Sequence, residues 1–138
     1  MNRKELLAAA REAALHAYAP YSKFRVGAAL VVRTEQGEQL VTGANVENAS
    51  YSLTLCAERA ALATAMRLVP PGAKLEVSQL AVTCLDVPDD APANKRSPCG
   101  ACRQWFAELA PKATFYVDGI PQDLTLDDLL PLAFVLDE

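Results

Sequence analysis

The sequence has no apolar run that approaches the roughly 20 residues needed to span a bilayer. Its opening stretch, MNRKELLAAAREAALHAYAP, carries charged residues through its first half and lacks the apolar region of a secretory signal peptide. We therefore expect a protein that has no membrane partner and is located in the cytoplasm.

Clustered positive charge is also missing. Basic residues form only short pairs, Arg3-Lys4 and Lys95-Arg96, in a chain of net charge −4. Because proteins that bind nucleic acid contact phosphates through a clustered basic face, we expect no nucleic-acid partner. A small ligand that is neutral or weakly charged fits this composition better.

Internal repeats, linkers and low-complexity tracts are absent from the sequence as well. Hydrophobic residues make up 51% of the 138 positions and charged residues 22%, which excludes a disordered or fibrous chain. A chain near this size buries roughly two-thirds of its unfolded surface. We expect a single domain over residues 1–138.

What the sequence does contain is a regular alternation of helical and strand patterns. Helices are expected over residues 2–18, 54–68, 97–111 and 125–130, the second and third with Thr54 and Ser97 as N-caps. Strands are expected over 24–32, 38–46, 75–85, 113–118 and 122–125. A hairpin turn at 34–37 makes the sheet mixed. The predicted fold is α/β, a three-layer α/β/α sandwich with a mixed sheet of about five strands.

Four cysteines are the first chemical signal: Cys56, Cys84, Cys99 and Cys102. In a reducing compartment such a cluster indicates metal binding or catalysis more often than disulfides. Cys56 and Cys99 are placed near the N2 positions of two helices, where the helix dipole favours thiolate. Cys102 lies one turn beyond Cys99 on the same face. If the two helix starts meet, three thiolates converge, and Zn²⁺ bound by three protein groups keeps a fourth position for water.

Charged residues beside these cysteines extend the hypothesis. Glu58, two positions after Cys56, is suited to hydrogen-bond such a water and move its proton. Three thiolates and one Zn²⁺ leave a charge of −1, which makes the metal a poorer Lewis acid. Arg59 or Arg103 is expected to donate to sulfur and offset that charge, although either also fits an ordinary surface arginine.

Three other interpretations of the cysteines stay open. One is a closed structural zinc site with Cys84 as fourth ligand, although Cys84 lies in an apolar run typical of a buried cysteine. Another is dithiol redox chemistry at CGAC, which leaves Cys56 and Glu58 without a role. The last is core filling, against which the two helix-start positions argue.

Several motifs together resemble the cytidine deaminase family. They follow the family's order along nearly the whole chain: FRVGAAL (24–30), GANVENASY (43–51), CAERAAL (56–62), SPCGACRQ (97–104) and LLPLAF (129–134). CAE and PCGAC match the all-cysteine version of the zinc deaminase signature. The resemblance implies hydrolytic deamination of cytidine, and of 2′-deoxycytidine, within pyrimidine salvage.

The resemblance also implies a metal site at matching positions. Cys56, Cys99 and Cys102 would bind one Zn²⁺ per subunit. Glu58 would take a proton from the zinc-bound water and deliver protons to the ring nitrogen and the leaving amine. Arg59 would be the arginine that neutralises the thiolates.

Substrate contacts are implied in the same way. Phe24 would pack against the nucleoside, Asn45 and Glu47 would bind the ribose hydroxyls, and backbone groups of Ala57 and Glu58 would read the pyrimidine edge. Asn45 and Glu47 flank one residue at a strand end and therefore point to the same side, where an amide and a carboxylate together can hold a diol. Three-cysteine members are usually homotetramers with active sites at subunit interfaces, in which the Phe134 position reaches a neighbour's site.

One segment departs from the family. The loop CLDVPDDAPANKR before SPCGAC is longer and more acidic than the connection expected there, which suggests a place near an interface or the rim of the active site. A deaminase of a nucleoside antibiotic of the blasticidin S type shares CAE and SPCG-C, but NVENASY favours plain nucleosides. A non-catalytic zinc-stabilised binding module is the alternative outside enzymes.

Overall fold

The computed structural model describes residues 1–136, which form four strands and four α-helices. In chain order these elements are α1 (Arg3–Ala14), β1 (Val26–Thr34), β2 (Gly37–Ala44), α2 (Ala57–Ala65), β3 (Val77–Cys84), α3 (Gly100–Leu109), β4 (Thr114–Val117) and α4 (Leu126–Leu129).

The strands form one mixed sheet in the order β2-β1-β3-β4. β1 pairs antiparallel with β2 and with β3, whereas β3 and β4 are parallel. The predicted mixed α/β sheet is confirmed, but the fifth strand near 122–125 is wrong. There Leu124 makes only an isolated bridge to Phe115, because Thr125 directly afterwards caps α4 through a capping box with Asp128.

Alternation along β1 places one helix on one face of the sheet and two on the other. Ala29 and Val31 belong to a buried cluster with Leu6, Leu7 and Ala10 of α1. The neighbouring positions of β1 face the opposite cluster, which contains buried residues of α2 and α3. This is the predicted three-layer arrangement.

Gly43 on β2 lets α2 lie directly on the sheet. A Cβ atom at this position would lie 2.7 Å from the Ala57 carbonyl oxygen and 2.7 Å from the Ala61 nitrogen. Only a residue without a side chain tolerates such a close approach of two backbones. The N-terminal end of α2 is thereby held against the sheet.

Three helix boundaries differ from the prediction. α2 begins after Cys56 instead of Thr54, because Leu55 is still extended and exchanges both backbone hydrogen bonds with Val46. α3 begins after Cys99 instead of Ser97, because the Cys99 thiol accepts the Cys102 N–H and takes the capping position. α1 ends at Ala14, since Tyr18 leaves the helical path and bridges to Val46.

None of the helices in the described part of the chain has both the length and the apolar character that crossing a bilayer requires.

Asp118, at the end of β4, ties this strand to α1 and β3. It accepts two hydrogen bonds from Arg11, at 2.8 and 2.7 Å, and one from the Thr83 hydroxyl at 2.7 Å. Burial raises the pKa of Asp118, but these hydrogen bonds outweigh burial and leave it below its ordinary value of 3.8. The ionised carboxylate therefore stabilises the fold above about pH 4, and that contribution is lost as the pH falls through the lowered pKa.

We expect Asp118→Asn to lower the free energy of unfolding by about 1–2 kcal/mol at pH 7, because hydrogen bonds to a charged group are lost. The difference from the parent should hold down to about pH 4 and narrow as the pH falls further. Urea unfolding at several pH values measures it, with the exposed Asp90→Asn as the charge-matched control. If the difference in free energy of unfolding between variant and parent stays constant down to pH 3, the ionised carboxylate does not have the assigned role.

Candidate functional site

Three cysteine thiols converge where α2 and α3 begin. Cys56 is the N-cap of α2, Cys99 is the N-cap of α3, and Cys102 lies within the first turn of α3. Their sulfur atoms all lie within 4.8 Å of one another, and the Cys56 and Cys99 sulfurs are 4.0 Å apart. The structure therefore brings the three predicted ligands together, although Cys56 and Cys99 are at N-cap positions and not at N2.

This geometry fits Zn²⁺. Zinc–sulfur bonds of about 2.3 Å in a tetrahedron place the sulfurs about 3.8 Å from one another, close to the observed separations. Among the described residues, the group contains three ligating residues. Three thiolates are the soft donor set that zinc prefers, and they leave a coordination position for another molecule.

Arg59 is the arginine that donates a hydrogen bond to this thiol group. Its Nη2 donates to the Cys56 sulfur at 3.2 Å. Hydrogen bonds from the Cys102 thiol and from Arg59 lower the pKa of Cys56 in spite of its burial, which favours the thiolate form at this position. Arg103, the other candidate, instead donates to the carbonyls of Pro98, at 2.8 Å, and Leu129. The expectation that Arg103 neutralises sulfur is wrong.

Cys84 lies outside the thiol group, so the described residues form no four-cysteine site. It is half-buried, and its thiol lies 3.9 Å from the Arg96 carbonyl oxygen. Burial, followed by the nearby Glu58 carboxylate, raises the pKa of Cys84 to about 11. This thiol therefore stays protonated, and it lines the wall of a cavity instead of filling the core.

A cavity of about 390 Å³ opens in front of the thiols. This volume lies within the usual range of small-molecule sites, about 300–1,000 Å³. Most of the residues predicted for the site line it: Phe24, Asn45, Glu47, Cys56, Ala57, Glu58 and Cys99. The arrangement can hold a small molecule against the thiol group.

Glu58 is a buried carboxyl group in this cavity. Its exposed fraction is only 4%. Burial first, and the negative charge of Cys56 after it, raise the pKa of Glu58 to about 7. A carboxylate whose pKa lies near neutral pH can both accept and return a proton. The backbone N–H groups of Ala57 and Glu58 lie in the first turn of α2, where they have no intrahelical acceptor.

Asn45 and Glu47 line the cavity and also brace the segment before β1. The Asn45 side chain donates to the Phe24 carbonyl and accepts from the Val26 N–H, each at 2.8 Å. Its amide keeps one N–H and one lone pair for other partners. Glu47 accepts from the Tyr21 N–H and from the N–H and hydroxyl of Ser22.

The Ser22 hydroxyl first, and then the backbone donors, lower the pKa of Glu47 below its ordinary value. Glu47 is therefore an anionic acceptor at the cavity wall. Together with the Asn45 amide, it supplies an acceptor and a donor on the same side of the cavity.

Two predicted site residues that do not line the cavity are at the thiol group: Cys102 is one of its members and Arg59 donates to Cys56. Phe134 is neither at that group nor on the cavity wall of its own chain. Its side chain is 68% exposed, and its carbonyl accepts a hydrogen bond from the Gln104 side chain at 3.0 Å. The apolar residues around it in sequence, Leu132 and Val135, are exposed as well.

Sequence reasoning missed the rest of the wall, which consists of Ser22, Val26, Tyr51, Thr54, Val82, Cys84, Lys95, Arg96, Ser97 and Pro98. Tyr51 and Thr54 fall within or beside the quoted motifs, which was the available signal for them. Lys95 and Arg96 end the long acidic loop for which the sequence suggested a place near an interface or the active-site rim. No motif singled out these two residues, because the path of the loop depends on tertiary contacts.

Comparison with known proteins gives consistent matches. A family model described as "Cytidine and deoxycytidylate deaminase zinc-binding region" matches residues 1–118. A cytidine deaminase of Halalkalibacterium halodurans is 41% identical, over all of this chain and 98% of that protein. A cytidine deaminase of Mycobacterium tuberculosis is 42% identical, over 94% of this chain and 86% of that protein.

Solved structures match in the same way. The crystal structure of cytidine deaminase from Burkholderia pseudomallei superposes with a TM-score of 0.79 at 41% identity, over 97% of this chain and 100% of that chain. The Mycobacterium tuberculosis crystal structure superposes with a TM-score of 0.75 at 36% identity, over 99% of both chains. Sequence, fold and the three-cysteine group agree, and the chain belongs to the cytidine deaminase family.

Proposed function

We propose that this protein catalyses the zinc-dependent hydrolytic deamination of cytidine, and of 2′-deoxycytidine, to uridine or deoxyuridine and ammonia. The observation that carries the proposal is the placement of a buried carboxylate, Glu58, in the same cavity as a three-thiol group that fits Zn²⁺. The curated relatives named above are cytidine deaminases, which supports the same reaction and substrate.

Cys56, Cys99 and Cys102 would hold the metal. Zinc in such a site lowers the pKa of water to about 7 and so supplies a nucleophile at neutral pH. Glu58 would accept one proton from the water as its oxygen adds to C4 of the cytosine ring, and would pass that proton to the ring nitrogen. It would then take the second proton from the new C4 hydroxyl and deliver it to the amine as the C4–N bond breaks, so that cytidine and water become uridine and ammonia.

The rest of the cavity would hold the nucleoside in place for this step. Asn45 and Glu47 present a donor and an anionic acceptor on one wall, which suits the two ribose hydroxyls. Phe24 would pack against the nucleoside, and the backbone groups of Ala57 and Glu58 would face the pyrimidine edge. Arg59 offsets the excess charge of the thiolates.

Ammonia release from cytidine by purified protein tests the proposal. Release should disappear after zinc chelation and return when zinc is added. Deoxycytidine is assayed alongside, as is a nucleoside antibiotic of the blasticidin S type. Zinc-bound protein that releases no ammonia from either plain nucleoside would overturn the proposal, and turnover of the antibiotic alone would identify the alternative deaminase. Bound zinc without any turnover would favour a non-catalytic module.

A homotetramer with active sites at subunit interfaces is part of the proposal. Exposed apolar side chains near the C-terminal end support it, since Leu132 is 101%, Phe134 68% and Val135 69% exposed. Tyr51, on the cavity wall, is 66% exposed as well. Pyrimidine salvage in the cytoplasm remains the predicted setting.

We expect Phe134→Ala to raise the KM for cytidine, or to shift the mass in solution toward smaller species. Light scattering coupled to size-exclusion chromatography, followed by kinetics, measures both effects. Leu40→Ala, an exposed apolar position on β2, serves as the control variant. A monomeric parent with full activity would contradict the shared-site arrangement.

A further inference from the structure

The loop over residues 86–96 ends in the wall of the cavity, where Lys95 and Arg96 lie beside Ser97 and Pro98. We propose that Arg96 is a positioning residue, whose guanidinium holds this loop in the shape that completes the nucleoside pocket. The inference rests on the proposed function for its kinetic readout, but the contacts that carry it are independent of that function.

The Arg96 guanidinium is surrounded by carbonyl oxygens of the loop. Nη2 donates to the Pro88 carbonyl at 2.6 Å and to the Asp89 carbonyl at 2.9 Å, and Nε donates to the Ala91 carbonyl at 3.3 Å. One side chain thus donates hydrogen bonds to three backbone carbonyls within four consecutive residues of the loop. Without these donors, the carbonyls would have to be satisfied by water, and the loop would lose its internal connection.

The same guanidinium also connects the loop to the sheet. Nη1 lies 3.5 Å from the Asp118 carbonyl at the end of β4. Gly119 follows with φ +91°, and a Cβ atom there would lie 2.6 Å from Arg96 Nη1 and 2.8 Å from Cζ. The turn after β4 therefore leaves room for the arginine, both through the missing side chain and through a backbone conformation that glycine adopts readily.

A second arginine anchors the other end of the loop. Asp86 accepts from the Arg25 backbone N–H at 2.8 Å and from the Arg25 side chain at 3.1 and 2.8 Å. Arg25 stands between Phe24 and Val26, which both line the cavity. The loop is therefore fastened beside the pocket at its start by Arg25 and at its end by Arg96.

Arginine suits this position for a chemical reason. A guanidinium carries five N–H donors in a planar fork, so it can bridge carbonyls of two chain segments at once. A lysine ammonium concentrates its donors on one atom and cannot span the same set. We therefore expect Arg96→Lys to resemble Arg96→Ala more than the parent.

The test compares Arg96→Ala and Arg96→Lys with the parent and with Arg67→Ala, which replaces an exposed arginine in the turn after α2. Since displaced binding groups weaken substrate positioning, we expect the KM for cytidine to rise about tenfold in Arg96→Ala, with kcat and zinc content within about threefold of the parent. Guanidinium chloride at millimolar concentration should fill the vacated space and lower that KM again. Amide hydrogen exchange should rise in residues 86–95 and not in α2.

The outcomes separate this inference from the proposed function. A parent that does not turn over cytidine overturns the function, and the hydrogen-exchange comparison then still decides the role of Arg96. A parent that is active, with Arg96 variants that are folded and unchanged in both KM and exchange, overturns the positioning role. An equal fall of kcat and zinc content without a change in KM would also overturn it, because that pattern belongs to general destabilisation.

Discussion

Glu58→Gln is expected to lower kcat for cytidine by about 10²–10⁴-fold, the usual contribution of a positioned acid–base group. Glutamine has nearly the same size and shape as glutamate, but it cannot accept the proton that water loses during attack. Glu58 is 4% exposed and lies in the cavity beside the thiol group.

The variant should retain its zinc and its fold, because the substitution removes a buried charge without leaving a void. Steady-state kinetics, zinc content and urea unfolding are measured on the same preparations. Glu35→Gln, at an exposed position in the β1–β2 turn, is the matched control. A Glu58→Gln enzyme with a near-parental rate would show that another group moves the proton.

Cys102→Ser is expected to abolish stoichiometric zinc binding, and the activity with it. Loss of a hydrogen-bonding partner around a metal already costs about 10–100-fold in affinity or activity, so loss of a ligand should cost more than about a hundredfold. Cys102 is fully buried between the other two thiols and the core. Serine is close to cysteine in volume, so that the change tests the ligand and not the packing.

Cys84→Ser provides the internal control for this experiment. Cys84 is also a free cysteine that lines the cavity, yet it lies outside the three-thiol group. We expect this variant to bind zinc as the parent does. Its kcat/KM should stay within about threefold of the parent value, which corresponds to a small change in transition-state binding. Zinc loss in Cys84→Ser and retention in Cys102→Ser would reverse the assigned ligand set.

Much of the fold could be predicted from local sequence patterns, because strand formation and helix capping depend on residues that are close together in the chain. The continuous apolar run over residues 24–32 predicted a buried strand. The two faces of β1 pack on α1 and on α2 with α3, as the three-layer prediction requires. Thr125 and Asp128 form the capping box that their spacing predicted. The helix start near Cys56 was predicted only to within two residues, since the pairing of Leu55 with Val46 is a contact between distant segments.

In the candidate site, too, some features could be predicted from the sequence and others depended on tertiary packing. Spacing alone placed Cys99 and Cys102 on one helical face and Cys56 at the start of another helix, and it indicated an acid–base role for Glu58. Resemblance supplied the roles expected of Asn45 and Glu47. Whether two helix starts meet depends on how the helices pack across the sheet, which no local pattern encodes. The choice between Arg59 and Arg103 as the donor to sulfur depended on the same packing.

By itself, the sequence determined the chain's composition class, the order of its main elements and the thiol spacing that selects zinc, because each depends on neighbours within a few residues. Tertiary structure alone decided that Leu124 forms a bridge and no fifth strand, that Cys84 faces the cavity, and that Arg96 fastens the long acidic loop against Gly119. Each of these depends on contacts between segments far apart in the chain, whose geometry is set only when the core has packed.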